Sequence, residues 1–406
     1  MALARTAPLR REIAAALPQR PFAIEFWDGS RVEATEPGGP SFRVLSPLAL
    51  AHALRAPGEL GLGRAYVLGL LDVDDIDKAL RIVDTFEALS LSPRQIARLA
   101  IAVLRATGIV APPRPPASEL RLTGERHTPG RDRRAVSYHY DAGNDFFALF
   151  LDPSMTYSCA YFRSGATTLE EAQQAKLGLV CTKLGLRAGE RVLDVGCGWG
   201  SFAIHAAREY GVTVLGVTLS EQQVALGRRR VQEAGLADRI ELRLADYRDL
   251  AQPGAEPFDA ISSIGMVEHV GEERIDLYAR TLAGLLRPGG RLLNHGIAKL
   301  MDFDTPDEGA FSERFVFPDG VPLPLSRIEL ALERTGLVTR HVEGLPEDYA
   351  ETLRHWIATY EERYDEAVAV AGAERARIYR LYLRAARQGF TTGWASVYQV
   401  LAHKLG

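Results

Sequence analysis

The chain has 406 residues, 47% hydrophobic and 25% charged, which is enough for a large core and for more than one average domain. Lys plus Arg (48) nearly balances Asp plus Glu (52), and an isoelectric point near 6.2 excludes the basic footprint of a general nucleic-acid binder. Three cysteines without a CxxC pair exclude a disulfide framework and argue against a metal site, which fits a reducing cytosol. The N-terminal MALARTAPLRREIAAALPQRP is broken by Arg10, Arg11 and Glu12 and does not read as a signal peptide. No stretch approaches the roughly 18 apolar residues of a membrane span, so a soluble chain is expected, meeting lipid only at a surface.

Residues 22–33, FAIEFWDGSRVE, alternate around Asp28-Gly29 and predict a hairpin. From Ser46, which can cap, and Pro47, suited to a first turn, helical patterns run to about Val110. Within 92–110, Arg98 and Arg105 sit among Leu99, Ile101, Val103 and Leu104, a pattern of either a core helix or a lipid-touching face. Residues 111–134 open with four prolines, lose periodicity and carry six arginines against three acids. They read as a linker whose basic residues could attract anionic headgroups at roughly 1 kcal/mol each. The expected organisation is a smaller, mainly helical N-terminal domain (1–110), a linker (111–134) and a catalytic domain (135–406).

Beyond the linker, strands are predicted at 191–195, 212–218, 240–246, 258–265 and 291–297, with helical segments after each of the first four. That alternation predicts an α/β domain with a mostly parallel, doubly wound sheet. The first strand ends Asp194-Val-Gly196-Cys-Gly198-Trp-Gly200 and enters a helix. Glycines there let the backbone turn tightly and approach a ligand across the strand end. The spacing is GxGxG behind an acid, not the GxGxxG of dinucleotide sites, and it resembles motif I of class I S-adenosylmethionine (SAM) methyltransferases. The resemblance implies a Rossmann-like, seven-stranded sheet and SAM contacts at Asp194, Gly196, Gly198 and Gly200. Many of those enzymes end the second strand in an acid that holds the ribose. Here the polar groups available are Thr218 and Gln223, with Asp246 and Tyr247 placed to border the adenine. Cys197 reads as a filler in the loop and Cys181 as helix core.

Five further stretches resemble one family: HYDAGNDFFALFLDPSMTYSCAYF (139–162), AQQAKLGLVCTKLGLRAGERVLDVGCGWG (172–200), SSIGMVEHVG (262–271), FVFPDG (315–320) and EDYAETLRHW (347–356). They look like the cyclopropane-fatty-acid synthases, which methylate lipid double bonds with SAM. The resemblance covers 134–406 densely and implies that Tyr157 and Ser158 face SAM. It places a bicarbonate ion among Cys159, Glu268, His295, Ile297 and Tyr349, with Cys159 as a wall of the site and not a nucleophile. Many members carry threonine where this chain has Gly296, which is expected to leave the backbone freer there.

The chemistry needs such residues. An alkene is a weak nucleophile, so positioning in a dry pocket supplies much of the rate. The carbocation left by methylation can be stabilised by a ring face, for which Tyr140, Tyr161, Phe162, Phe315 and Tyr349 are candidates. The implied substrate is an unsaturated phospholipid acyl chain. Drawing ten methylenes into water would cost roughly 8 kcal/mol, so docking on an anionic membrane at its inner face is expected, with Arg131, Arg133 and Arg134 assisting. The stretches 57–73, 291–297 and 398–405 resemble the branch that makes methylene-branched chains on the way to tuberculostearic acid. That favours a 10-methylene product from oleoyl chains, completed by a separate reductase, over a cyclopropane ring. Competing readings are another class I methyltransferase, which the missing Asn/Asp-Pro-Pro-Tyr signature disfavours, and a non-catalytic SAM- or lipid-binding module. A homo-oligomer is compatible with all of them.

Overall fold

The computed structural model describes residues 3–85, 92–108, 113–140, 142–252, 254–300 and 310–406. The chain forms two compact units. The first comprises Met1–Arg121, Thr305–Val316 and Gly372–Gln388; the second comprises Leu122–Asp304, Phe317–Ala371 and Gly389–Gly406. Two segments read as part of the catalytic domain therefore belong to the first unit.

In the first unit the hairpin forms where expected, Ala23–Phe26 pairing antiparallel with Arg31–Val32. It is half of a four-stranded sheet, because Ser41–Val44 adds parallel to Ala23–Phe26 and Leu71–Val73 adds antiparallel to Ser41–Val44. The region is nonetheless mainly helical, as expected, and the added strands are only three or four residues long, too short to show a period. Ser46 caps helix Pro47–Arg55, its side chain accepting from Leu48 N–H, with Pro47 at the start. Helix Pro93–Thr107 opens with a Ser92/Gln95 capping box and closes on left-handed Gly108, while Val110 lies outside the described residues. Its Ala102, Val103 and Ala106 are buried, and Ile96, Ile101 and Leu104 are exposed.

The stretch read as a linker is anchored at both ends. Glu119 forms a buried, two-bond ion pair with Arg64 (2.6 and 2.7 Å). Residues 129–134 begin helix Pro129–Tyr140. Within it Arg131 is buried and grips Asp319 through two bonds of 2.5 and 2.7 Å. The expectation that Arg131 meets headgroups is therefore overturned, since a guanidinium already desolvated and paired has nothing to offer a membrane. Arg133 and Arg134 are exposed.

The second unit is built on a sheet whose seven main strands we label in chain order: β1 (Arg191–Val195), β2 (Thr213–Thr218), β3 (Ile240–Leu244), β4 (Phe258–Ile264), β5 (Leu286–Lys299), β6 (Leu337–Gly344) and β7 (Ala395–Lys404). Their order is β6-β7-β5-β4-β1-β2-β3, with a two-residue strand, Leu323–Pro324, pairing the end of β5. β1 to β5 run parallel and β7 inserts antiparallel between β5 and β6. Apolar clusters cover both faces, one around Leu193, Ile261, Tyr278 and Leu282, the other around Val180, Cys181, Phe202 and Val214. That double burial shows in the nearly continuous buried runs of β1, β2 and β4. Helices follow β1, β2 and β4, but only a short 3-10 turn, Tyr247–Leu250, follows β3, against expectation. All three cysteines are free and buried.

Candidate active site

The turn after β1 is a glycine structure. Gly196, Gly198 and Gly200 adopt φ of 75°, 54° and 80°, a region that penalises side chains. The amides of Gly196 and Cys197 both donate to Val217 O (2.9 and 3.0 Å), locking the turn to the end of β2. A Cβ on Gly198 would meet nothing within 4 Å, because that residue faces the open floor of a cavity. Gly200 instead caps helix Ser201–Tyr210 and does not line the cavity. Cys197 packs its side chain where a Cβ on Gly216 would lie, 2.9 Å away, so it is the filler its position suggested.

This cavity, wholly within the second unit, is also lined by Tyr140, Tyr157, Ser158, Asp194, Thr218, Gln223, Asp246 and Tyr247. At the end of β2, Thr218 Oγ1 donates to Gln223 Oε1 at 2.7 Å, and Gln223 also bonds Tyr140, whose hydroxyl burial pushes up to about 12. Asp246 is less available than its position implied: Arg248 grips it through two bonds (2.6 and 2.9 Å) and reaches on to Asp132 at 2.8 Å. Burial pushes the Asp194 carboxyl up to about 7, and its Oδ2 has no protein partner among the described residues.

Lys176, which the sequence reading passed over as part of a core helix, faces the same cavity. It is buried, donates Nζ to Ser158 Oγ at 2.8 Å, and is pushed down to about 8 by its burial. A lysine four residues after Ala172 and four before Val180, on the face that the helix buries, was the signal available. His127, Trp199 and His269 also line the cavity without having been singled out.

Behind the cavity wall formed by Ile264, Gly265 and Met266 lies a second cluster. β4 and β5 pair Ile264 with His295, and Gly265 N–H donates to His295 O at 2.8 Å. Glu268 follows two residues after Met266, on the one-turn helix Val267–His269. Its Oε1 accepts from Ile297 N–H at 2.7 Å, and burial pushes its carboxyl up to about 7. Glu268 Oε2 and His295 Nε2 are both buried and have no protein partner among the described residues. Burial holds His295 well below the ordinary imidazole range, so it is neutral. Gly296 is not a loosened position: a Cβ there would sit 2.2 Å from Val267 Cγ1, so its bare backbone lets the Glu268 turn close onto β5.

Cys159 is fully buried, its Sγ donating to Ala160 O (3.2 Å) and Leu345 O (3.7 Å), and burial pushes the thiol well up. A thiol so held is no nucleophile at neutral pH. Leu345 precedes helix Pro346–Glu362, where the Tyr349 ring packs on Phe390 (4.5 Å) and Trp356 (6.1 Å); Trp356 in turn lies 5.1 Å from Tyr157 at the cavity. Tyr161 and Phe162 do not line the cavity; Phe162 stacks on His355 at 5.1 Å and its amide donates to Asp348. Phe315 belongs to the first unit, packed on Phe311 at 4.9 Å. Of the ring faces proposed from sequence, Tyr140 alone lines the cavity.

Residues 127–400 match the family described as mycolic acid cyclopropane synthetase. A probable fatty acid methyltransferase of Pseudomonas putida is 40% identical over 392 residues, spanning 95% of this chain and 92% of that one. The tuberculostearic acid methyltransferase UfaA1 of Mycobacterium tuberculosis is 32% identical over 391 residues, 93% of this chain and 87% of that one. Among solved structures, the mycolic acid cyclopropane synthase CmaA1, complexed with SAH and CTAB, superposes with a TM-score of 0.63 at 35% identity, covering 67% of this chain and 98% of that one. The glycine turn, the cavity it floors and these matches agree: this chain belongs to the mycolic acid cyclopropane synthetase family and is a SAM-dependent C-methyltransferase.

Proposed function

We propose that the enzyme methylates the cis double bond of an unsaturated, oleoyl-type chain in membrane phospholipid and yields a 10-methylene chain. The glycine turn, Asp194, Thr218, Gln223 and Tyr157 would hold SAM, which supplies an electrophilic methyl group. Glu268, His295, Ile297, Tyr349 and the backbone of Cys159 would hold bicarbonate, which supplies a small base. The observation that carries this reading is the pair of buried polar atoms, Glu268 Oε2 and His295 Nε2, that no protein group satisfies. Such atoms are costly unless met by a ligand, and two of them, one on β5 and one on a carboxyl bonded to β5, suit a small hydrogen-bonding anion.

Methylation would form a carbon–carbon bond from the alkene's π electrons as the methyl–sulfur bond breaks, its electron pair staying on the departing thioether sulfur, and would leave a cation on the neighbouring chain carbon. A hydride then shifts from the methylated carbon, and loss of a methyl proton leaves an exocyclic methylene. Ring closure with loss of the same proton would give cyclopropane. The protein's task is to exclude water, hold the chain near the ring of Tyr140, and orient the proton acceptor. The methylene branch is favoured because the relatives matched along nearly the whole chain are named fatty acid and tuberculostearic acid methyltransferases. A separate reductase would complete the methyl branch. Access to the substrate would be peripheral, from the cytoplasmic face of the membrane, aided by Arg133 and Arg134; among the described residues no helix is long and apolar enough to cross one.

The test is mass spectrometry of fatty acids from a host expressing the gene with oleate supplied. A methylene-stearate peak that hydrogenation converts to 10-methylstearate is expected. A cyclopropane peak alone would assign the ring product instead, and an unchanged profile would remove the acyl-chain reading.

A further inference from the structure

We propose that Lys183 and Gln399 are positioning residues that hold His295 in its Nε2–H tautomer, so that the imidazole presents a hydrogen-bond donor beside Glu268. The inference rests on the reading above, in which His295 and Glu268 form the proton-handling part of the site.

Its basis is a row of side chains across three strands. Glu343 on β6 is the register partner of Gln399 on β7, and Gln399 is the register partner of His295 on β5. Directly paired residues project from the same face of a sheet, so the three side chains stand side by side. Lys183, in the last turn of helix Leu169–Leu184, lies against this row. Its ammonium donates to Glu343 and, at 2.7 Å, to Gln399 Oε1.

Hydrogen-bonding capacity then fixes the rest. An ammonium has donors and no acceptor, so the amide atom facing Lys183 is the oxygen. The amide nitrogen is thereby turned toward His295 Nδ1, at 3.0 Å. An amide NH2 donates, so Nδ1 accepts, and in a neutral imidazole the one remaining proton sits on Nε2. Flipping the amide would set NH2 against an ammonium inside a fully buried residue, with no water to absorb the mismatch. Glu343 completes the row by balancing the lysine's charge. Neither Lys183 nor Gln399 lines the cavity, so both act through His295.

The test is nitrogen-15 NMR of the full-length protein labelled at histidine, with His295 assigned by its loss in His295→Gln. In the parent protein the proton is expected on Nε2. In Lys183→Met the amide is free to flip, and in Gln399→Leu the donor is gone, so both are expected to populate the Nδ1–H form. Turnover should fall about tenfold in each, the size of one hydrogen bond, while KM for SAM stays within about twofold. If Gln399→Leu does not fold, Lys183→Met, at a half-buried position, carries the comparison. A parent protein with its proton on Nδ1, or a tautomer unchanged in the variants, overturns the proposal. A shifted tautomer with undiminished turnover upholds it and removes His295 from the proposed chemistry instead.

Discussion

The two parts of the site, the glycine turn after β1 and the Glu268–His295 cluster behind it, are built by opposite means. The first is local and made of backbone: five consecutive residues set its shape, and two amides tie it to β2. The second is non-local and made of side chains, assembled by strand register between residues roughly thirty to a hundred positions apart and by a helix laid across the sheet. A backbone site tolerates change in what surrounds it but little change in its glycines. A register-built site can lose its function through residues that never touch a substrate.

The sharpest way to break the first part is Gly198→Val. A β-branched residue at φ near 54°, facing the cavity floor, should weaken SAM binding at least about 100-fold, or nearly 3 kcal/mol, in calorimetry on the folded variant. Unchanged affinity would detach the turn from the cofactor.

The second part is best broken through packing. Gly296→Ala sets a methyl 2.2 Å from Val267 Cγ1, and overpacking of this kind costs about 1–3 kcal/mol. The thermal midpoint should fall and turnover should fall more than SAM affinity, because the turn that moves carries Glu268. Trimming the partner, with Val267→Ala in the same chain, should recover much of both. Failure of the double variant to recover either would mean that Val267 is not what constrains the turn.

A third effect separates the two parts by pH. The Glu268 carboxyl is raised from 4.5 to about 7, so the folded state holds a proton that the unfolded state has lost. Stability from this group is complete below about pH 4.5 and is lost as pH rises toward 7. Glu268→Gln keeps the shape without the titration. It should therefore be more stable than the parent by about 3 kcal/mol at pH 8, with the gap shrinking below about 1 kcal/mol by pH 5. Parallel denaturation curves at both pH values would contradict the burial of that carboxylate.

The smallest effect concerns the membrane. Arg133→Gln with Arg134→Gln should weaken liposome binding only at low salt and with anionic lipid, by about 1 kcal/mol per charge. Arg131→Gln should instead destabilise the fold, because it strips buried Asp319 of its two-bond partner and leaves only the longer ion pair with Arg126 (3.6 Å). Equal loss of liposome binding from all three would restore the linker reading.

What was legible in the sequence follows the same division. The Ser46–Pro47 cap, the Asp28-Gly29 hairpin, β1 to β5 and the glycine turn all announce themselves within a few residues, because propensity and backbone geometry decide them. β6 was missed: its period is broken by a register shift near Thr339–His341, and Leu337 is its one buried residue. Arg131 read as a surface charge because its partner lies 188 residues away. Gly296 read as freedom because a missing side chain says nothing of what fills its place. Glu268 and His295 were reached through family resemblance, since each alone is an unremarkable acid and a buried histidine. Lys183 and Gln399 had no local signal at all.

The division of the site is tested most directly by measuring SAM affinity and turnover together in Glu268→Gln. Glu268 touches Ile297 and not the glycine turn, so calorimetry should return an affinity within about twofold of the parent, while turnover on unsaturated phospholipid falls by about 100-fold or more, the scale of lost acid–base chemistry. A variant that turns over at the parent rate, or one whose activity falls only in step with its SAM affinity, would contradict the account.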